Sequence, residues 1–275
     1  MDITGMLQKA LEYWNTFLTN ALNLLMTTPQ NFRGGNIWQV VLTVYSIIQG
    51  AGTALLITFW GMGILKEYGS FADLKRPDVG IKLLIRFALA QAVIIYGMDL
   101  ILLIFSGVQN ILLSVMRQFA YGAANLELPQ AFIDADKNAS WMEDILPMLL
   151  GLVFFIVICA CAIIILLMVY SRVFKFFLYV ALSPIPLSTF GGSATAEIGK
   201  TFLKNFCSVC LEVVVLFLCF ILFDAFFESP PFLMGENSQY WMIMCSYMIE
   251  TIISMLILVG LVKGADRLTK EILGL

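Results

Sequence analysis

Histidine is absent from this 275-residue sequence, and charged residues make up only 13% of it. With so little charge and a hydrophobic content of 60%, the chain presents too little polar surface for an ordinary soluble domain. An integral membrane protein is expected. The missing imidazoles bear on Cys207 and Cys210, whose C-x-x-C spacing is half of a zinc or redox motif. No second cysteine pair stands at finger spacing and no histidine can complete a site, so the thiols read as small packing residues. All six cysteines, the others being Cys159, Cys161, Cys219 and Cys245, fall inside or at the edge of apolar runs. That argues against a disulfide framework. Basic residues are few and dispersed, and the net charge is -3, which excludes an independent nucleic-acid-binding domain. A cleavable signal pattern is also missing, because Asp2 stands where a basic region belongs and no unbroken apolar run follows. Insertion is then expected to be driven by the spans themselves.

Long apolar runs are what the chain has in quantity. Before them, Ile3, Leu7, Leu11, Trp14, Leu18, Leu22 and Leu25 recur at three- and four-residue spacings opposite Lys9, Glu12, Asn15 and Asn20. This predicts an amphipathic helix over residues 3–25 that suits the membrane surface or a neighbouring subunit. Residues 37–66 are long enough to cross about 30 Å of hydrocarbon and form span one. Gly50, Gly52, Ala54, Gly61 and Gly63 leave flat patches on it for another helix backbone. A charged connector with Lys66, Glu67, Lys75, Arg76 and Asp78 follows. Residues 81–119 then read as one long tilted helix, with a hairpin bent near Gly107 as the alternative. An acidic loop over residues 120–144 precedes span three at 145–170. Span four is expected at 207–227, span five at 240–262, and an amphipathic tail at 263–275. The whole is read as a single membrane domain.

Between spans three and four lies the stretch that departs most from a smooth span, residues 172–192. Arg172 and Lys175 open it, and Pro184, Pro186, Gly191 and Gly192 close it. Each proline removes a backbone donor and disfavours helical angles in the residue before it, so an irregular break at the cytoplasmic face is expected. Such backbone is tolerated only where protein or water covers it. A short amphipathic segment over residues 193–206 completes the break.

Orientation is read from lysines and arginines. Twelve of the sixteen fall in the connector and the turns after it (Lys66, Lys75, Arg76, Lys82, Arg86), around the break (Arg172, Lys175, Lys200, Lys204), or in the tail (Lys263, Arg267, Lys270). The positive-inside rule then puts the amino terminus outside, the carboxyl terminus in the cytoplasm and the acidic loop outward.

Acidic residues inside or near spans are the sharpest chemical signal. Asp99, Glu212 and Glu250 are each expensive against lipid, so each should face a cavity, pair with a cation or be protonated. They read either as the lining of a hydrated path or as carboxyl groups bonded between helices. Asp224 falls nearer the outer end of its span. The segment ATAEIGKT at 194–201 misses the phosphate-loop pattern by an alanine in place of the first glycine, and no strand precedes it. Nucleotide binding, catalysis, metals and cofactors are not expected.

Four segments, S-R-V-F-K-F-F at 171–177, A-L-S-P-I-P-L at 181–187, G-G-S-A at 191–194 and G-K-T-F-L-K-N-F at 199–206, resemble the TrbL-like polytopic inner-membrane subunits of type IV secretion and conjugation machines. The five-span layout is similar too, although the long soluble extension of some members is missing. The resemblance implies several copies forming a ring in the cytoplasmic membrane. They would anchor a pilus or stalk, work with separate ATPases, and support outward movement of a DNA–protein or protein substrate. On that model the amino-terminal helix and residues 81–119 would make contacts between copies. The acidic loop would meet the stalk and the break would meet cytoplasmic components. The rival class is an ion-coupled transporter using Asp99, Glu212 and Glu250, but no internal repeat supports two related halves. A scaffold without a passage is the third.

Overall fold

Apolar residues at helical spacing wind the start of the chain into α1 (Ile3–Met26), as the periodicity predicts. This computed structural model describes residues 3–67, 77–119, 126, 128, 145–227 and 240–275. After α1 come α2 (Asn36–Glu67), α3 (Pro77–Ile95), α4 (Gly97–Phe119), α5 (Ile145–Leu182), the short α6 (Pro184–Ser188), α7 (Ala196–Phe227) and α8 (Tyr240–Ile272). No strand occurs among the described residues. Five stretches are long and apolar enough to cross a membrane: Phe32–Lys66, Gly97–Gln118, Leu149–Gly191, Ala196–Phe226 and Cys245–Ile272. Most of the acidic loop, the connector residues Lys75 and Arg76, and Pro230, Pro231 and Glu236 lie outside the described residues.

Contacts divide the chain into two compact units, where the sequence reads as a single domain. The first comprises Met1–Met26, Val115–Ser171 and Val215–Ala265; the second comprises Thr27–Ser114, Arg172–Val214 and Asp266–Leu275.

In the first unit, the apolar stripe of α1 is covered by its own chain. Leu7, Leu11, Trp14, Leu18 and Leu22 are buried, Trp14 packs against Phe223 with ring centroids 6.2 Å apart, and Tyr13 meets Phe155 edge-on. The Asn15 amide donates to the Leu126 carbonyl and its oxygen accepts from the Leu126 N–H, both at 3.1 Å. Burial in the same chain thus removes this stripe from water.

In the second unit, the single helix expected over residues 81–119 is bent at Tyr96, between α3 and α4, rather than near Gly107. Tyr45 Oη and Gln49 Nε2 both donate to the Ile94 carbonyl, at 3.4 and 3.1 Å. Side chains that bond into a helix ladder are an established cause of such bends. Gly97 follows immediately; a Cβ there would come within 2.9 Å of Leu187 Cδ1. The bend is therefore seated on α6, with Leu56, Ala90, Ile94 and Leu187 forming a buried apolar cluster.

Three boundaries also move. α5 does not end at Tyr170 but carries Arg172 and Lys175 within a 38-residue helix, about 57 Å long at 1.5 Å per residue. α7 joins the expected segment 193–206 to span four, and α8 joins span five to the tail. No proline stands at either join, so nothing interrupts the hydrogen-bond ladder.

Candidate functional site

The break that closes the α5 stretch is tighter and more regular than proline chemistry predicts. Ser183, although it precedes Pro184, has helical angles (φ -57, ψ -31). Pro184 and Pro186 fall in the first turn of α6, where their missing N–H groups would lack helical partners anyway. A 3-10 turn, Thr189–Gly191, follows. Local hydroxyls add to the backbone bonds that the bend's carbonyls already accept: Ser183 donates to Val180 at 2.8 Å, Thr189 to Pro186 at 2.6 Å and Thr195 to Thr189 at 2.8 Å. This is how irregular backbone survives in an apolar setting.

One stripe of α2 grips the break. A Cβ on Gly52 would stand 2.8 Å from the Pro184 carbonyl oxygen, one on Gly191 3.1 Å from the Leu56 carbonyl, and one on Gly192 2.7 Å from the Phe59 carbonyl. Gly63 faces the Gly192 Cα. Positions 52, 56, 59 and 63 recur at helical spacing, so the flat patch expected on span one exists and receives backbone. Gly50 and Gly61 have nothing within 4 Å of a Cβ. Pro184, Leu187, Ser188, Thr189, Gly191 and Gly192 are buried, while Leu182 and Ile185 remain exposed. Phe177, five residues beyond Arg172, packs on Phe32 and Trp38 at 5.6 and 6.4 Å. The start of α2 is thus level with the basic exit of α5.

Beside the break, three helices of the second unit contribute to a charge network. Arg172 and Lys175 are one turn apart on α5, Glu212 comes from α7, and Asp266 and Lys270 are one turn apart on α8. Arg172 Nε lies 3.0 Å from Glu212 Oε1. Lys175 Nζ stands 4.0 Å from Glu212 Oε2 and 2.6 Å from Asp266 Oδ1, while Lys270 Nζ is 2.7 Å from Asp266 Oδ2. Glu212 retains only 2% side-chain exposure, and its Oε2 accepts no hydrogen bond among the described residues. A carboxylate so deeply withdrawn from water needs its cations in place. Ser208 donates to Thr269 at 3.2 Å, tying α7 to α8 one turn away.

Asp99 and Glu212, both in the second unit, do not share a site. Glu212 belongs to the ion network. Asp99 is exposed and lines a separate cavity of the second unit. Glu250 and Asp224 belong to the first unit, and Glu250 Oε1 has no hydrogen-bond partner among the described residues. Glu212 pairs between helices, with Arg172 of α5. Asp266 and Lys270 were missed as site residues because they read as the polar face of a tail. Their signal was an i, i+4 opposite-charge pair beside the buried faces of Val262 and Thr269. Cys210 is buried and Cys207 half-buried, both as free thiols. At residues 194–201, Thr195 leads into α7, and Lys200 pairs with Glu197 at an exposed position.

Fold and site together define an all-helical polytopic membrane protein with an internal charge network. Comparison with protein-family models, with characterised proteins and with solved structures returned no match.

Proposed function

We propose that this chain is a platform or channel subunit of a type IV secretion or conjugation machine, several copies of which assemble as a ring in the cytoplasmic membrane. The observation that carries this reading is that two of the segments resembling TrbL-like subunits, 171–177 and 199–206, pack on each other, and that residues lying between the segments pack on the second of these. Phe176 meets Phe206 at 5.7 Å, Tyr179 stacks on Phe202 at 5.6 Å, a Cβ on Gly199 would strike the Phe190 ring, and Gly192 lies on α2. The two ends of residues 171–206 thus meet, beside the ion pair of Arg172 with Glu212. Exposed apolar side chains such as Val40, Ile47, Leu84 and Leu103 supply surface for lipid and for further copies. With the basic tail in the cytoplasm, the ring would hold a stalk or pilus outward. It would receive its DNA–protein or protein substrate, and the work of separate ATPases, from within.

Within the second unit Asp99 lines a pocket and Glu212 joins an ion network, with no residue common to the two, which weighs against the transporter reading, since ion coupling needs its carboxylates on one path. Purification of the full chain in mild detergent, followed by mass measurement, tests the proposal. A closed ring of several copies is expected. A monomer that couples ion flux to solute uptake in vesicles overturns it.

A further inference from the structure

The linker before α2 and one face of α4 border an open cavity of about 370 Å³ in the second unit. Its size falls in the range of small-molecule sites, about 300–1,000 Å³. Thr28, Gln30, Asp99, Ser106 and Gln109 supply its polar groups, and no cation is among its lining residues. Asp99 carries the one formal charge and forms no ion pair among the described residues. Thr28 Oγ1 is buried without a hydrogen-bond partner among the described residues. Ser106 spends its proton on the Leu103 carbonyl at 2.9 Å, so its oxygen is left as an acceptor. Leu102 and Phe105 make the apolar wall, and Phe105 is fixed by its ring contact with Phe176 at 5.0 Å.

An anion finds no partner here. A divalent cation such as calcium takes six to eight oxygens, usually several of them carboxylate, and one carboxylate beside an apolar wall does not meet that demand. A primary alkylammonium group does fit. Its three N–H donors match a carboxylate, a hydroxyl and an amide oxygen, while its carbon chain lies on Leu102 and its charge faces an aromatic ring. We propose that this cavity binds a primary ammonium group, carried either by the ethanolamine headgroup of a lipid or by a free small amine. The site stands independently of the secretion reading.

The test uses the purified full chain, wild type, Asp99→Asn and Thr28→Val, each checked for an unchanged circular dichroism spectrum. Native mass spectrometry measures retention of phosphatidylethanolamine, phosphatidylcholine and phosphatidylglycerol, and calorimetry measures binding of ethylammonium chloride. Wild type is expected to retain phosphatidylethanolamine at least tenfold over the other two, and D99N is expected to lose that preference. If only ethylammonium binds, and D99N weakens it tenfold, the source is a free amine. Should D99N not fold, T28V must weaken the same ligand at least threefold. Equal retention of all three lipids together with no Asp99- or Thr28-dependent binding of ethylammonium overturns the proposal, as does preferred retention of phosphatidylglycerol.

Discussion

Arg172 Nε and Glu212 Oε1 stand 3.0 Å apart, with 9% and 2% of their side chains exposed. Removing one partner strands a charge in the protein interior, and such losses cost about 3–5 kcal/mol. Arg172→Ala and Glu212→Ala should each destabilise the protein by that order in denaturant titrations in detergent. The double variant Arg172→Met with Glu212→Leu, which removes both charges and keeps volume, should recover most of the loss. A double variant no better than the singles would show that the pair matters through something besides charge compensation.

Lys175 and Lys270 share Asp266 but not its surroundings. Lys270 is 42% exposed and sits one turn from Asp266 on the same helix, whereas Lys175 also faces the buried Glu212. Lys270→Met should cost less than about 1 kcal/mol, as exposed pairs do, and the difference should shrink with added salt. Lys175→Met should cost more and respond little to salt. Melting temperatures measured at low and high salt separate the two; equal salt dependence contradicts the assignment.

Gly52 and Gly61 lie on one helix with opposite prospects. A methyl at Gly52 meets the Pro184 carbonyl at 2.8 Å, and one at Gly61 meets nothing within 4 Å. Gly52→Ala should lower stability by about 1–3 kcal/mol through overpacking. Gly61→Ala should be neutral or raise it by about 0.5–1 kcal/mol through reduced backbone entropy. A thermal-shift comparison in which both variants behave alike would remove the argument that α2 holds the break by close approach.

Trp14 is 1% exposed and its neighbour Tyr13 is 52% exposed. Trp14→Ala should cost about 3–5 kcal/mol, whereas Tyr13→Ala should cost far less. Unfolding of the two variants at matched detergent concentration checks this. If Trp14→Ala instead changes subunit number while leaving stability intact, α1 works between copies after all.

Much of the helical framework was legible in composition and spacing. The apolar repeat of α1 and the absence of proline from residues 37–66 each state a local preference that the fold keeps. Glu212 was legible as costly, because a carboxylate in an apolar run needs company whatever the fold. Its company was not. Arg172 lies 40 residues from Glu212, and Asp266 lies 54 residues beyond it, so no window along the chain contains the network. Local rules also misled at Ser183, where the penalty on helical angles before a proline was outweighed by hydroxyl–carbonyl bonds and by the seat on α2.

Taken alone, the order of residues determined that this chain is helical and apolar, where its long helices run, and which charges needed shelter. Those properties depend on neighbours within a turn or two and on water's rejection of hydrocarbon. Only the tertiary structure decided that the apolar stripe of α1 is covered within the chain, that the proline segment lies along α2, and that the start of α2 is level with Phe177. Those outcomes depend on which distant surfaces meet at van der Waals distance, and many pairings share the same hydrophobic pattern until side-chain shape and charge select one.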